Sequence, residues 1–173
     1  QIAPGLRRTF SFEDWNWVDD RLIQEVRTEA SKKINRDLVL DIMGTDIDAR
    51  MVEIAKENAQ KAGVASDITF KQMRVQDLRS DKINGVIISN PPYGERLSDD
   101  AGVTKLYAEM GEVFAPLTTW SKFILTSDEN FEKKFGRPAD KKRKLYNGTL
   151  KVDLYQFFGE RVRRQSSNEK GSI

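Results

Sequence analysis

Apolar residues recur along this chain with two different periods, and the change of period predicts its helices and strands. Over residues 11–33 the apolar positions are three and four residues apart, which is the spacing of one helix face. That face consists of Trp15, Val18, Leu22, Val26 and Ala30. Ser11, with Asp14 three positions later, resembles a capping box, so we expect the helix to begin there. Trp15 and Trp17 are expected in the core rather than in a functional site.

The middle of the chain alternates between short apolar runs and longer amphipathic stretches. The pattern predicts strands over 38–45, 68–73, 83–89 and 123–125, and helices over 48–62 and 104–115. Asp48 is placed to cap the helix that follows it, and Gly63 is placed to end that helix. Strands that alternate with helices are typical of an α/β protein with a mostly parallel sheet.

The last predicted elements form a hairpin. Asn147-Gly148 separates Lys144-Leu145-Tyr146 from a β-prone run over 150–158. Asn-Gly between two such runs is the strongest short-range signal for a two-residue hairpin turn. We therefore expect an antiparallel pair at one edge of the sheet. Residues 1–164 are predicted to form the folded domain, and residues 165–173 a polar tail.

The most informative local pattern is Asn90-Pro91-Pro92-Tyr93-Gly94, which follows the apolar run Val86-Ile87-Ile88. Each proline restricts its own φ and pushes the residue before it into an extended conformation. The result is a stiff turn that presents an amide, a free carbonyl and an aromatic ring. In open α/β sheets, ligands bind at the carboxyl ends of strands, where this turn is expected. The arrangement suits a planar substrate that carries an amino group; a proline-rich turn that only closes the strand is the alternative.

Composition narrows the chemistry that such a site can perform. The chain of 173 residues contains no Cys and no His. Disulfides, thiolate metal sites and acid/base catalysis by histidine are therefore excluded, and we expect no metal. Methylation of a pyrimidine carbon normally needs a cysteine nucleophile, whereas methylation of an exocyclic nitrogen needs no covalent step. The composition fits the second chemistry and argues against the first.

Hydropathy indicates a globular domain outside the membrane. The chain is 38% hydrophobic and 32% charged, and no apolar stretch approaches the roughly 20 residues of a membrane helix. No signal-peptide pattern opens the chain, so we expect a cytoplasmic protein. The sequence starts at Gln1 rather than at a methionine, which predicts that it belongs to a longer protein.

Basic residues are unevenly distributed, although the net charge is only +2. Residues 133–144 read KKFGRPADKKRK, and Arg161, Arg163 and Arg164 form a smaller group. Such clusters can neutralise phosphates and bind nucleic acid. The residues expected to do so are Arg137, Lys141, Lys142, Arg143 and Lys144. A solvated loop is the alternative, and it is the usual outcome for a charge run.

Three segments carry a resemblance to a known family. They read DIDARMVEIAKENA at 46–59, NPPYGERL at 90–97 and KKRKLYNG at 141–148. They resemble class I S-adenosylmethionine-dependent methyltransferases that act on amino groups. More narrowly, they resemble the bacterial 23S ribosomal RNA guanine-N2 methyltransferases, which are often labelled predicted N6-adenine-specific DNA methylases. The resemblance runs from about Ile2 to Arg164 and implies a Rossmann-like fold and S-adenosylmethionine as cofactor.

The resemblance implies catalytic roles for Asn90, Pro91, Pro92 and Tyr93. The side chain of Asn90 and the carbonyl of Pro91 would accept hydrogen bonds from the target amino group. This contribution would be one of positioning more than of acid/base catalysis. The ring of Tyr93 would stack on the target base, which must be unstacked or single-stranded to be reached.

The resemblance also implies a cofactor site. The carboxylate of Asp46 would bind the ribose hydroxyls, since Asp48 already fills the capping role. Asp77, in the loop after the next strand, would lie near the adenine ring. Ile47, Met73 and Asn90 are expected to complete the cofactor contacts.

One part of the family pattern is missing from residues 1–173. They contain no G-x-G-x-x-G or comparable glycine turn, and the family's first strand would lie upstream of Gln1. Without that strand, the strands over 38–45 and 83–88 are expected to have no common neighbour. We therefore expect the upstream portion of the same protein as a partner. We expect the chain alone to be inactive and to bind the cofactor weakly.

The expected function is N-methylation of a nucleobase amino group, guanine N2 in ribosomal RNA. Adenine N6 in DNA or RNA, a glutamine side-chain amide in a protein, and a non-catalytic RNA-binding role are the alternatives. The basic segment favours nucleic acid over protein, but it does not separate guanine from adenine.

Overall fold

The computed structural model describes residues 2–93 and 100–160. Gly94 of the proline motif, the arginines near 161–164 and the polar tail lie outside the described residues. The chain divides into two compact units. The first consists of Gln1–Gly44 and Glu53–Phe70, and the second of Thr45–Val52 and Lys71–Ile173.

The described residues form an α/β structure in the predicted order. The helices are α1 (Asp20–Lys32), α2 (Ala49–Ala62), α3 (Asp100–Phe114) and α4 (Phe131–Phe135). The strands are β1 (Ile42–Asp46), β2 (Ile68–Gln72), β3 (Val86–Ser89), β4 (Ser121–Thr126), β5 (Lys141–Asn147) and β6 (Leu150–Phe157). No helix in the described part of the chain is long and apolar enough to cross a membrane.

The first helix begins later than its apolar pattern predicts. Ser11–Asp14 forms a separate 3-10 turn, and α1 starts at Asp20. The carboxylate of Asp19 accepts a hydrogen bond from the Arg21 backbone N–H at 2.8 Å. The predicted capping box at Ser11 is therefore wrong, because Asp19 caps the helix.

The aromatic residues before α1 are not buried as predicted. Trp15 and Trp17 are 50% and 77% exposed, and their ring centroids are 5.2 Å apart. Because the 3-10 turn ends before Trp15, these side chains leave the helical stripe. They pack on one another with Phe10 and Phe12 in a row of rings instead.

The second unit contains a four-stranded sheet in the order β3-β4-β6-β5. β3 and β4 are parallel, whereas β6 pairs antiparallel with both β4 and β5. The predicted hairpin is confirmed. Gly148 has a φ of 62°, the positive value that its tight turn requires. The solvated loop given as the alternative for the basic run is wrong for Lys141 to Lys144, which form the first half of β5.

The core of the second unit lies between this sheet and helices α3 and α4. It consists of Val103, Tyr107, Met110, Phe114, Ile124, Phe131, Phe135, Tyr155 and Phe157. Phe131 is fully buried, and its ring centroid lies 4.9 Å from that of Tyr107 and 4.7 Å from that of Tyr155. Two phenylalanines therefore anchor α4, although this helix has only five residues.

β1 and β2 form a separate two-stranded sheet. Among the described residues β1 and β3 have no neighbouring strand in common, as predicted. β1 starts at Ile42 rather than at Leu38, and Val39 is 98% exposed. The strand is shorter than its apolar run, since residues 38–41 are not in strand conformation. Gly63 ends α2 with a φ of 68°, as predicted.

Candidate functional site

The proline turn lies where the sequence predicts, directly after the last residue of β3. Asn90 is exposed, Pro91 is buried, and Tyr93 is half-buried. Because β3 and β4 are parallel, the turn lies at the same sheet edge as Thr126, the last residue of β4. The structure therefore presents the Asn90 amide to solvent while the first proline is packed inside.

The turn is held from inside the protein by Tyr107 on α3. The Tyr107 hydroxyl donates a hydrogen bond to the carbonyl oxygen of Pro92 at 3.3 Å, and it lies 2.9 Å from Thr126 Oγ1. The side chains of Tyr107 and Thr126 are fully buried. Burial raises the pKa of Tyr107, so its hydroxyl keeps its proton throughout the neutral range.

Asp46 and Asp48 follow one another around the end of β1 and have different tasks. The Asp48 carboxylate accepts from the Arg50 backbone N–H at 2.8 Å, so it caps α2 as predicted. Hydrogen bonding from the Arg50 side chain lowers the pKa of Asp48. Asp46 is exposed, but it is not free as the sequence suggested, since its Oδ1 accepts from the Asp48 backbone N–H at 2.8 Å.

The structure brings three of the proposed cofactor residues together. The Met73 backbone N–H donates to the Asp46 carbonyl at 2.9 Å. The Gln72 side chain donates to the Ile47 carbonyl at 2.9 Å. Asp46, Ile47 and Met73 therefore line one corner at the carboxyl ends of β1 and β2.

Asp77 lies in the 3-10 turn Val75–Asp77, which packs against α3. The Gln76 side chain donates to the Glu109 carboxylate at 2.5 Å. Glu109 lies two residues after Tyr107 on the same helix, so α3 contacts both the Asp77 turn and the proline turn. Among the described residues no group of three or more acidic side chains is arranged to hold a metal ion.

The basic residues fall into two groups that sequence spacing does not separate. Lys142 lies over the Tyr155 ring at 4.7 Å and pairs with Asp153 at 3.3 Å, and its hydrogen bond with Tyr155 raises its pKa. Arg137 pairs with Asp140 at 3.5 Å and lies over the Phe157 ring. Lys141, Arg143 and Lys144 are exposed.

Strand register decides which basic residues lie nearest the proline turn. Ser89 in β3 lies opposite Ile124 in β4. Ile124 lies opposite Tyr155 in β6. Tyr155 in turn lies opposite Lys142. Asn90 follows Ser89, so the turn is at the level of Arg143 and Lys144. The turn after β3 and these residues of β5 are separated by three strand spacings, a distance of about 15 Å. Arg137 lies before β5, at the opposite end of the sheet from the turn.

A cavity of about 530 Å³ lies at that opposite end, away from the proline turn. Its lining includes Phe114, Phe135, Phe157, Lys122 and Arg137. Lys122 is buried, and its Nζ donates to the Leu117 carbonyl at 2.5 Å. Burial lowers the pKa of Lys122. Because this lysine satisfies the carbonyl of the segment between α3 and β4, its position is explained by packing.

Sequence reasoning did not single out Tyr107 or Thr126. Leu106, Met110, Val113 and Phe114 marked α3 as an apolar helix, and Tyr107 is the one phenol among them. A buried hydroxyl needs a hydrogen-bond partner, so the sequence does indicate that Tyr107 makes a polar contact. The sequence does not indicate the partner, because Pro92 and Thr126 lie 15 and 19 residues away from Tyr107.

Comparison with known proteins shows what this chain is similar to. The family model for the RMKL-like methyltransferase domain matches residues 1–156. The chain is 52% identical over 159 residues to "Putative RNA methyltransferase YpsC" of Bacillus subtilis (strain 168), covering 92% of this chain and 41% of that protein. It is 38% identical over 170 residues to ribosomal RNA large subunit methyltransferase K/L of Shewanella amazonensis, covering 94% of this chain and 24% of that protein.

A similar solved structure is that of SMU.472, described as a putative methyltransferase complexed with SAH. It superimposes with a TM-score of 0.88 at 63% identity, covering 94% of this chain and 43% of that chain. The chain therefore spans less than half the length of each of these three proteins.

Proposed function

This chain belongs to the family of RMKL-like methyltransferase domains, and on that premise we propose that it carries the catalytic site of a ribosomal RNA methyltransferase. The proposed reaction moves a methyl group from S-adenosylmethionine to the exocyclic N2 of a guanine. The observation that carries the proposal is the turn from Asn90 to Tyr93, with an exposed amide and a buried proline at the end of β3. The name of the Shewanella relative supports an RNA of the large ribosomal subunit as substrate.

Two acceptors on the turn would activate the target nitrogen. Asn90 Oδ1 and the Pro91 carbonyl can each accept one hydrogen bond from an amino group. Together they would fix the plane of that group and direct the nitrogen lone pair toward the incoming methyl group. Acceptors aimed at the reacting group stabilise the positive charge that develops on nitrogen. The nitrogen would form a bond to the methyl carbon as the bond between that carbon and the cofactor's sulfur breaks, and it would then lose a proton to water, so no buried base is needed.

The residues at the ends of β1 and β2 fit the cofactor. When bound, S-adenosylmethionine supplies an electrophilic methyl group on a sulfonium. Asp46 is exposed and uses one carboxylate oxygen for the Asp48 backbone N–H, so the other oxygen is open to a ribose hydroxyl. Asp77 is exposed in the neighbouring turn, where it can accept from an adenine amino group. Ile47 and Met73 complete this corner.

The basic strand β5 would contact the RNA backbone near the site. Its exposed cations Lys141, Arg143 and Lys144 can neutralise phosphates. Arg143 and Lys144 are at the level of the proline turn, whereas Lys142 is already paired with Asp153. The ring of Tyr93, half-buried beside Asn90, would stack on the target base after it leaves its helix.

A further segment of the same protein would complete the sheet at β3. In the described residues β3 is an edge strand, and Val86 and Ile88 are 58% and 81% exposed. An edge strand with exposed apolar side chains is a template for another strand. We expect that segment to be the upstream portion of the protein, and the glycine turn to come with it. A cofactor affinity of residues 1–173 equal to that of the longer protein would contradict this proposal.

Methyl transfer from labelled S-adenosylmethionine to unmodified ribosomal RNA tests the function. The experiment uses the longer protein with its native upstream sequence. We expect label in guanine, located by nuclease digestion of the RNA. Label in adenine would replace the proposed substrate by an adenine target in RNA or DNA. Absence of transfer to any nucleic acid, with the cofactor bound, would overturn the proposal in favour of a protein substrate.

A further inference from the structure

Three contacts connect β4 and α3 to the proline turn. The Asp128 backbone N–H donates to Thr126 Oγ1 at 3.1 Å. Thr126 Oγ1 lies 2.9 Å from the Tyr107 hydroxyl. The Tyr107 hydroxyl lies 3.3 Å from the Pro92 carbonyl. The path crosses three parts of the chain that are distant in sequence, and its two side chains are fully buried.

Only one arrangement of protons satisfies all three contacts. A backbone N–H can only donate and a carbonyl oxygen can only accept, whereas each hydroxyl has one proton to give. Tyr107 must therefore give its proton to Pro92, and Thr126 must give its proton to Tyr107. The chain of donors runs in one direction, from Asp128 through Thr126 and Tyr107 to the turn. Successive bonds in such a chain polarise and strengthen one another.

The chain of donors ends at the Pro92 carbonyl. The orientation of this carbonyl depends on the ψ angle of Pro92, which is a backbone torsion that the two proline rings leave free. The rings fix φ of Pro91 and Pro92. The residue before each proline is restricted to extended ψ, so Asn90 and Pro91 are limited as well. The ψ angle of Pro92 has no such restriction, because Tyr93 follows it. That angle orients the Pro92 carbonyl, which is the group that Tyr107 contacts.

We propose that the hydroxyls of Tyr107 and Thr126 are positioning groups that set the orientation of Tyr93, and through it the placement of the target base. This inference rests on the proposed function for its consequence in catalysis. The Pro92 carbonyl and the Tyr93 nitrogen share one peptide plane, so fixing the carbonyl fixes where the Tyr93 side chain begins. Neither Tyr107 nor Thr126 touches substrate in this role.

Tyr155 offers a matched control for the removal of a buried phenol hydroxyl. It is fully buried in the same core, and its hydroxyl donates to the Asp128 carbonyl at 3.1 Å. The donor chain uses the Asp128 N–H instead, so removal of the Tyr155 hydroxyl leaves all three contacts of the chain in place. Tyr155→Phe and Tyr107→Phe therefore delete the same atom at similar burial. Only Tyr107→Phe removes a contact with the motif.

The experiment compares Tyr107→Phe, Thr126→Val and Tyr155→Phe in the longer protein, each with Tyr93 present and with Tyr93→Ala. With Tyr93 present, we expect Tyr107→Phe to lower kcat about tenfold, because a less well oriented Tyr93 ring holds the target base less precisely for reaction. Cofactor affinity should stay unchanged, and Tm should fall no more than in Tyr155→Phe. Thr126→Val should act in the same direction, and its effect should not add to that of Tyr107→Phe. In the Tyr93→Ala background, Tyr107→Phe should have almost no further effect on kcat.

A full tenfold loss on top of Tyr93→Ala would overturn the inference, because Tyr107 would then act on something other than Tyr93. An equal loss in Tyr155→Phe would overturn it too, since any buried hydroxyl would then matter. A second readout does not depend on methyl transfer: the 19F NMR signal of fluorotyrosine placed at position 93. That signal should shift or broaden in Tyr107→Phe and Thr126→Val but not in Tyr155→Phe. This readout distinguishes failure of the inference from failure of the proposed function.

Discussion

The turn after β3 and the loop after β1 supply the two halves of the proposed reaction, yet they are held in different ways. The turn is fixed from the interior, where the fully buried Tyr107 contacts the Pro92 carbonyl. The loop is fixed near the surface, by the bonds that the Asp46 and Asp48 side chains make to nearby backbone N–H groups and by the bonds from Gln72 and Met73 at the end of β2.

This difference predicts how each half responds to change. A group held by packing depends on the whole core of the second unit, so distant core substitutions should reach it. A group held by local hydrogen bonds should respond mainly to substitutions in the loop itself. Catalytic geometry and cofactor affinity should therefore separate under mutation.

The largest effect should come from the core that supports the turn. Phe131→Ala removes a fully buried ring that contacts Tyr107, Phe135 and Tyr155. We expect the free energy of unfolding to fall by about 3–5 kcal/mol, from lost burial and the cavity left behind. Urea unfolding measures this change in the free energy of unfolding. Phe12→Ala deletes the same ring at a site that is 45% exposed and should cost less than about 1 kcal/mol. Equal losses would contradict the inference that burial of Phe131 between the sheet and α3 stabilises the second unit.

Asn90→Ala should have the next largest effect, and mainly on the chemical step. Removal of one preorganised group that acts in the transition state lowers kcat by about 100- to 1000-fold. The side chain is exposed, so Tm should hardly change. Labelled methyl transfer, cofactor titration and RNA binding measure the three properties separately. Lost RNA binding together with lost activity would favour a non-catalytic RNA-binding role for the turn.

Substitutions in the loop after β1 should instead change cofactor affinity or stability rather than the chemical step. Asp46→Asn would weaken the proposed charge-assisted contact with the cofactor, so we expect an affinity loss of about tenfold. Asp48→Ala removes the cap of α2 and should lower stability by about 1 kcal/mol. Calorimetric titration measures the cofactor affinity of both variants, and thermal unfolding measures their stability. A larger affinity loss for Asp48→Ala would mean that Asp46 only helps to shape the loop.

Basic residues provide a smaller test, because each is one of several surface charges. Lys144→Ala, at the level of the turn, should weaken RNA binding a few-fold and reduce the salt dependence by about one unit of slope. Arg137→Ala removes the same charge at the far end of the sheet and should change little. Filter binding at several salt concentrations measures both. The opposite order would show that RNA crosses the other end of the sheet.

The smallest effect concerns alkaline pH. Burial raises the pKa of both Tyr107 and Tyr155, so the folded protein favours their neutral forms. The resulting contribution to the free energy of unfolding is fully present below the pKa of tyrosine in the unfolded chain, about 10. It is lost as the pH rises through the higher pKa of these tyrosines in the folded protein. Tyr107→Phe should therefore flatten the fall of Tm above about pH 10. An unchanged pH profile would show that the hydroxyl is not desolvated.

Sequence patterns predicted most elements but misplaced several of their ends. The α2 helix ends as predicted because Asp48 and Gly63 act on neighbouring backbone groups. The start of α1 was misplaced because Ser11 and Asp19 are both acceptable caps, and only the structure shows which one is used. β5 extends back to Lys141 because β6 offers it a partner, which no local propensity could indicate.

The sequence by itself determined the proline turn, because the torsions of two consecutive prolines are restricted by covalent geometry. It also determined the candidate chemistry, since the absence of Cys and His removes most alternatives. Only the tertiary structure decided what holds the turn. Tyr107, Thr126 and Pro92 are far apart along the chain, and their hydrogen bonds exist only because α3 packs on β4. Burial then makes each hydroxyl find a partner, which the unfolded chain does not require.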